Sequence, residues 1–313
     1  MNTALPSDEL PGGLPGVLRA MRSRDAAALG AAGRFIVTDG AWGTQFQARG
    51  LQGGEFPDLW NLRRPDQVFE VARAYVEAGS QVILTNTFGA NRIRLADLGA
   101  DIDVRAVNRA GVEHSRRAAA DRALVFASIG PSGKLLLTGD VTPEQLQQAF
   151  TEQAQALAEG GADALVVETM SDLDEAAIAV AAARATGLPV VASMVFDAGP
   201  ELDHTMMGAS PEQVAEALGA AGADVIGANC GQGIAGFVAV CRRLRAATSL
   251  PLWMKANAGL PVLEDGRAVY RTAPDEFAAH VPALRAAGAS FIGGCCGTAP
   301  AFIAALRSRS ATA

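Results

Sequence analysis

Eight short apolar runs rich in β-branched residues, at 35–39, 82–87, 123–129, 164–168, 189–196, 224–229, 251–256 and 290–294, most constrain what this chain can fold into. Between them lie Ala-, Leu-, Arg- and Glu-rich stretches of helical period, at 66–78, 101–120, 143–159, 173–186, 211–221, 234–247 and 274–287, with 300–308 after the last run. Runs with so little polar alternation suit strands covered on both faces, as in a parallel sheet. Eight strand–helix units in succession predict an α/β fold, the (β/α)8 TIM barrel. A doubly wound open sheet is the alternative, and it lacks the Gly-x-Gly-x-x-Gly that would follow its first strand. Residues 1–33 stand outside the repeat as an N-terminal extension with a short amphipathic helix from Val17 to Leu29, which leaves 34–313 for the barrel.

Composition narrows the class. Hydrophobic residues make up 50% of the 313 and charged residues 19%, which excludes a disordered chain. A net charge of −7 without any Lys/Arg run argues against nucleic acid as a partner. No stretch reaches the ~20 uninterrupted apolar residues of a membrane span. The first residues, MNTALPSDELPGG, lack the basic and apolar regions of a secretory signal. Four cysteines in a chain of this length are not a disulfide framework. A reducing, cytoplasmic setting is the expectation.

The barrel reading can be tested within the sequence, because such barrels carry their chemistry at the carboxyl ends of strands. The first run ends in Asp39-Gly40, the second in Asn86-Thr87 and the fourth in Glu168-Thr169. The sixth ends in Asn229-Cys230, the seventh in Lys255-Ala256-Asn257 and the eighth in Cys295-Cys296. Three thiols from two strand ends suit a zinc ion held by Cys230, Cys295 and Cys296 with one position open, as a catalytic zinc requires. Glycines 293, 294 and 297 flank the pair and leave room for a ligand close to the backbone. Spacing alone leaves a redox dithiol or plain buried thiols open as well. Cys241, inside a helical stretch, reads as a buried hydrophobe.

Glu168 ends an apolar run, and a carboxylate there needs a partner, because an unpaired buried charge is costly. A substrate ammonium would serve, and so would Lys255 or an arginine. Asp39 has the same two readings. Asp172 and Glu175 read as a capping box on the following helix. Gly130-Pro131-Ser132-Gly133-Lys134 lacks the Walker spacing and reads as a turn. His114 and His280 fall in helical stretches and His204 in a loop, so no histidine is placed to join the thiols.

Taken together these motifs resemble the homocysteine S-methyltransferase family, closest to the homocysteine-binding module of cobalamin-dependent methionine synthase. The resemblance rests on Asp39-Gly40-Ala41-Trp42-Gly43-Thr44, Thr85-Asn86-Thr87-Phe88-Gly89-Ala90-Asn91-Arg92, Gly130-Pro131-Ser132-Gly133 and Val167-Glu168-Thr169. It continues through Ala228-Asn229-Cys230, Asn257-Ala258-Gly259 and Gly293-Gly294-Cys295-Cys296-Gly297-Thr298, in order over 35–306. It implies Zn2+ on Cys230, Cys295 and Cys296, and methyl transfer to the thiol of homocysteine, giving methionine. It further implies that Asp39 and Glu168 hold the homocysteine ammonium and that backbone at Gly40 and Ala41 meets the polar end. Asn257 matches a residue whose side-chain oxygen can fill the fourth zinc position. Two departures stand out: Ala256 replaces a frequent proline, and Met207 in Thr205-Met206-Met207-Gly208 replaces a hydroxyl residue near the mouth.

A chain of 313 residues leaves no room for folate and cobalamin modules, so the methyl group is expected from a small molecule such as S-methylmethionine or from a separate methyl-corrinoid protein. Betaine is the alternative donor and would call for an aromatic cage. Trp42, Trp60 and Phe88 are candidates for it, whereas Tyr75 and Tyr270 lie away from the expected strand ends and residue 169 is threonine. A homocysteine- or zinc-binding protein without turnover, and a phosphate-binding barrel lyase or isomerase, are the other readings.

Overall fold

The computed structural model describes residues 12–30, 34–98, 102–264 and 267–310. Seven strands come first: β1 (Ile36–Val37), β2 (Val82–Ile83), β3 (Leu124–Ile129), β4 (Ala164–Met170), β5 (Val190–Met194), β6 (Val225–Cys230) and β7 (Leu252–Ala256). A two-stranded hairpin follows, β8 (Val262–Glu264) and β9 (Arg267–Val269), and then the eighth barrel strand, β10 (Ala289–Gly294). The parallel order β1-β10-β7-β6-β5-β4-β3-β2 is joined end to end by a parallel bridge between Thr38 and Val82. The molecule is a (β/α)8 TIM barrel.

Helices form where the caps dictate. Pro143–Glu159 and Pro211–Ala221 each start with proline after a reciprocal capping box, Thr142 with Gln145 and Ser210 with Gln213. Gly222, at φ 101°, ends the second in the left-handed conformation that glycine adopts without strain. The expected helix 274–287 is two helices, Pro274–Ala278 and Val281–Ala286. Pro282 lacks the amide an unbroken helix would need there, so it sits in the first turn of a new one, and His280 lies in the joint rather than in a helix. Asp172 caps Leu173–Arg184 by accepting from Asp174 and Glu175 amides. Glu175 does not close the box; its carboxylate accepts from Ser132 N–H at 2.7 Å and ties down the turn after β3.

Alternate residues of each strand face the barrel axis. At the amino-terminal end they are hydrocarbon, including Ile36, Leu124, Phe126, Val166, Val191, Val225, Trp253 and Phe291. Trp253 stacks on Phe126 with centroids 6.1 Å apart, and Gly227 opposite leaves it room, since a Cβ there would come within 1.8 Å of the Trp253 carbonyl oxygen. The helix Gly13–Arg22 closes this end by adding Val17, Ala20 and Met21 to the same cluster, with Leu29 beside them. Residues 1–11 and 31–33 of the expected extension lie outside the described residues. Two residues further along the same strands, or four in β6 past Gly227, the axial positions turn polar: Ser128, Glu168, Ser193, Asn229 and Lys255, all buried. No helix among the described residues is long and apolar enough to cross a membrane.

Candidate metal and substrate site

Register brings the thiols together. Cys230 pairs with Ala256 and Ala256 with Gly294, so the ends of β6, β7 and β10 lie level and Cys295 follows at once. The three Sγ atoms lie within 4.8 Å of one another, and those of Cys230 and Cys296 are 3.9 Å apart. A tetrahedral ion with Zn–S bonds of about 2.3 Å sets its sulfurs about 3.8 Å apart, so this spacing fits. Hydrogen bonds among the three thiols favour one thiolate and hold the others protonated, the Cys296 thiol drawn down and the Cys230 thiol pushed up. Without a cation, the cluster therefore favours one shared thiolate; a soft divalent ion is what would let all three ionise. Cys241 is buried inside the helix Ile234–Ala247, remote in role from the other three.

Two strand ends reach this geometry through strained backbone. Thr169 and Cys230 have φ of 61° and 67°, unusual for residues that carry a Cβ. Asn229 braces the first: its Oδ1 accepts from Thr169 N–H at 2.8 Å and Ser193 Oγ at 2.7 Å, and its Nδ2 donates to Thr169 Oγ1 at 2.7 Å. Asn257 joins the two cysteine loops, accepting from Cys296 N–H at 2.9 Å and donating to the Gly231 carbonyl at 2.6 Å. Its side-chain oxygen is thus engaged by backbone.

A cavity of about 270 Å³ opens over the thiols. Gly40, Ala41, Glu168, Cys230, Cys295 and Cys296 line it, as do Lys255, Trp42 and Phe88; Asp39 and Asn257 do not. Asp39 is satisfied from within: Lys255 Nζ pairs with one oxygen, and the other accepts from Trp42 Nε1 and Leu84 N–H, each at 2.7 Å. The Leu84 contact also explains why β2 stops at Ile83 and not at 87: beyond it the backbone bonds to side chains. Glu168 differs. Among the described residues its hydrogen-bond partner is the Ser128 hydroxyl, it makes no ion pair within 4 Å, and burial raises it to about 7.

Three side chains that the sequence did not mark belong to the site. Tyr75 and Tyr270 lie away from the barrel strand ends, as expected, yet both reach backbone that lines or adjoins the cavity. The Tyr75 hydroxyl donates toward the Ala41 and Thr298 carbonyls at 2.6 and 3.0 Å, from the helix Pro65–Glu77. Tyr270 packs so closely on Gly297, at φ 81°, that a Cβ there would come within 2.2 Å of the ring. A helical period and a loop position concealed both. The third is Asp58, in the turn Pro57–Leu59, buried on the cavity wall with its Oδ1 accepting from Gly89 N–H at 2.9 Å. Trp60 is buried away from the cavity with Arg64 over its ring at 4.5 Å, and Thr205, Met206 and Met207 contribute nothing to the wall.

A parallel barrel whose open end gathers three thiols beside a buried carboxylate has a thiol cluster that could hold a soft metal ion. The homocysteine S-methyltransferase family model matches residues 36–310, and the chain belongs to that family. It is 35% identical over 291 residues to the methionine synthases of Mycobacterium tuberculosis and Mycobacterium leprae, covering 86% and 85% of this chain. It spans about a quarter (24%) of the length of those relatives. The metallated form of the homocysteine methyltransferase MmuM from Escherichia coli superposes with a TM-score of 0.74 at 28% identity, covering 91% of this chain and 100% of that one.

Proposed function

We propose that this chain transfers a methyl group to the thiol of homocysteine, giving methionine, with zinc on Cys230, Cys295 and Cys296. The convergence of three sulfurs within 4.8 Å at the mouth, beside a carboxylate that lacks an ion-pair partner, carries the reading. Zinc bound there would take up an alkyl thiol, release its proton at neutral pH and leave the sulfur electron-rich. Glu168 meets the homocysteine ammonium, which supplies the charge its burial demands. Backbone at Gly40 and Ala41, held by Tyr75 and Thr298, faces the other polar end. Trp42 and Phe88 narrow the cavity and exclude water. Asp39 acts at one remove, fixing Lys255 and Trp42. Asn257 sets the spacing of the cysteine loops. Orientation then brings sulfur and methyl carbon into line: an S–CH3 bond forms as the bond from methyl to donor breaks.

S-methylmethionine or a separate methyl-corrinoid protein is the donor in this reading. Of the aromatic residues first considered for a betaine cage, Trp42 and Phe88 line the cavity, and the single Tyr75 O–H proton is already taken up by the Ala41 and Thr298 carbonyls that share it. We place residues 34–313 as the homocysteine-binding barrel, in a cytoplasmic setting.

The test combines metal analysis with an assay of methionine formation from homocysteine, offering S-methylmethionine, betaine and methylcobalamin in turn. One zinc per chain and turnover on a donor are expected. Cys296→Ala should lose both, Cys241→Ala neither, and Glu168→Ala should keep zinc while binding homocysteine weakly. Full zinc content and normal turnover in Cys296→Ala would exclude the site.

A further inference from the structure

The cavity has a second acid that the reading above leaves idle. Among the described residues, three acids are buried at or beside the mouth: Asp39, Glu168 and Asp58. Asp39 has a cation, an indole N–H and a backbone amide. Asp58 is 2% exposed and has only backbone amides, Gly89 N–H at 2.9 Å and its own. Among the described residues it makes no ion pair within 4 Å; Arg94, whose charge acts on it, stacks over Phe56 and Phe88 at 5.6 and 5.9 Å. A buried carboxyl in this condition has an unmet demand for a cationic partner. The cavity is the direction from which one can come.

We propose that Asp58 is a second substrate-binding carboxyl of this site, meeting a cationic nitrogen or sulfur: the ammonium of the thiol amino acid or the ammonium or sulfonium of a small methyl donor. The inference rests on the homocysteine reading and extends it. Asp58 is well placed to select rather than merely to tolerate such a group, because its turn is rigidly held. Asn86 Nδ2 donates to the Pro57 carbonyl at 2.8 Å and to Asn61 Oδ1 at 3.0 Å, and Asn61 Nδ2 donates to the Asn86 carbonyl at 2.7 Å. Phe88 and Trp42 share the wall, so a cation there would meet ring faces as well as the carboxyl. Burial raises Asp58 to about 6, as expected of an acid waiting for a counter-charge.

Asp58→Asn is the discriminating change, because the amide oxygen can still accept from Gly89 N–H. Calorimetry on zinc-loaded protein would measure homocysteine and S-methylmethionine separately, alongside a thiol acid lacking the ammonium, 4-mercaptobutanoate. Loss of one charged hydrogen bond weakens binding roughly 10- to 100-fold. Weakening confined to homocysteine assigns Asp58 to the thiol substrate, and weakening confined to S-methylmethionine assigns it to the donor. 4-Mercaptobutanoate should bind both proteins alike. Unchanged affinity for both charged ligands, or equal weakening of 4-mercaptobutanoate, overturns the proposal and leaves the metal reading standing. A wild type that binds zinc but no homocysteine overturns both.

Discussion

The two ends of the barrel are built to opposite rules. At the amino-terminal end, axial residues are hydrocarbon, and the helix Gly13–Arg22 caps them with Val17 and Met21, 2% and 0% exposed. At the carboxyl end the same strands carry Ser128, Glu168, Ser193, Asn229 and Lys255, backbone in the left-handed region at Thr169 and Cys230, and thiols crowded within 4.8 Å. One end buries apolar surface almost throughout, the Trp253 indole N–H being its one buried donor without a partner among the described residues of that cluster. The other holds groups whose needs the protein alone does not meet. The difference is where stability is stored and where it is spent on a ligand site.

The sharpest way to break this contrast is at the buried pair. Lys255→Met leaves Asp39 at 0% exposure without its cation, with the neutral Trp42 and Leu84 N–H donors in its place, and should cost about 3–5 kcal/mol in denaturant unfolding. Asp39→Asn combined with Lys255→Met should recover much of that loss. A single substitution within 1 kcal/mol of wild type, on the scale of an exposed pair, would show that the mouth's charges do not depend on each other. At the other end, Met21→Ala opens a cavity and should cost about 2–4 kcal/mol. Zinc content and turnover per folded molecule should stay unchanged. A comparable fall in turnover would mean that the closed end supports the site, not only the fold.

The acids offer a gentler test through pH. Asp58 rises on folding from 3.8 to about 6, so the folded protein binds the proton more tightly. Its contribution to stability is complete below pH 3.8 and fades as pH rises through about 6. At 1.36 kcal/mol per unit, that amounts to about 1–3 kcal/mol. Urea unfolding at steps across this window should show wild type losing stability relative to Asp58→Asn. Parallel curves would mean that Asp58 titrates as though exposed, which removes the case for an unmet charge.

How much of this was legible in the chain depends on what fixed each feature. The strands were, because β-branched runs buried on both faces leave little choice, and so were the helices at 211–221 and 234–247. β2 ended early because the Asp39 carboxylate, distant in sequence, captures Leu84 N–H. The hairpin of β8 and β9 left no apolar signal, since all three β8 residues are exposed. In the site, Cys230, Cys295, Cys296 and Glu168 were legible as chemistry at strand ends. Whether Asp39 or Glu168 would pair with Lys255 was not, because the Lys255 charge acts on both and the sequence does not say which it reaches. Asp58 follows Pro57 and precedes Leu59-Trp60, so in sequence it looks like an ordinary acid in a helical first turn. Only the fold turns it inward.

The smallest effect expected is also the one that separates strain from bonding at the mouth. Thr169 carries a β-branched side chain at φ 61°, at a cost of order 1–3 kcal/mol. Its hydroxyl offsets part of that by accepting from Asn229 Nδ2 at 2.7 Å, a bond contributing about 0.5–1.5 kcal/mol. Thr169→Gly relieves the strain but loses the bond and about 0.5–1 kcal/mol of backbone entropy, so its stability should fall within about 1 kcal/mol of wild type. Thr169→Val keeps the strain and loses the bond, and should be the less stable of the two. Thermal unfolding of both variants decides it. If valine equals or exceeds glycine, the backbone at Thr169 is relaxed, and Asn229 holds Glu168 in place through hydrogen bonds alone. If glycine is the more stable, yet binds homocysteine more weakly, the strained conformation is what aims the neighbouring carboxylate into the cavity.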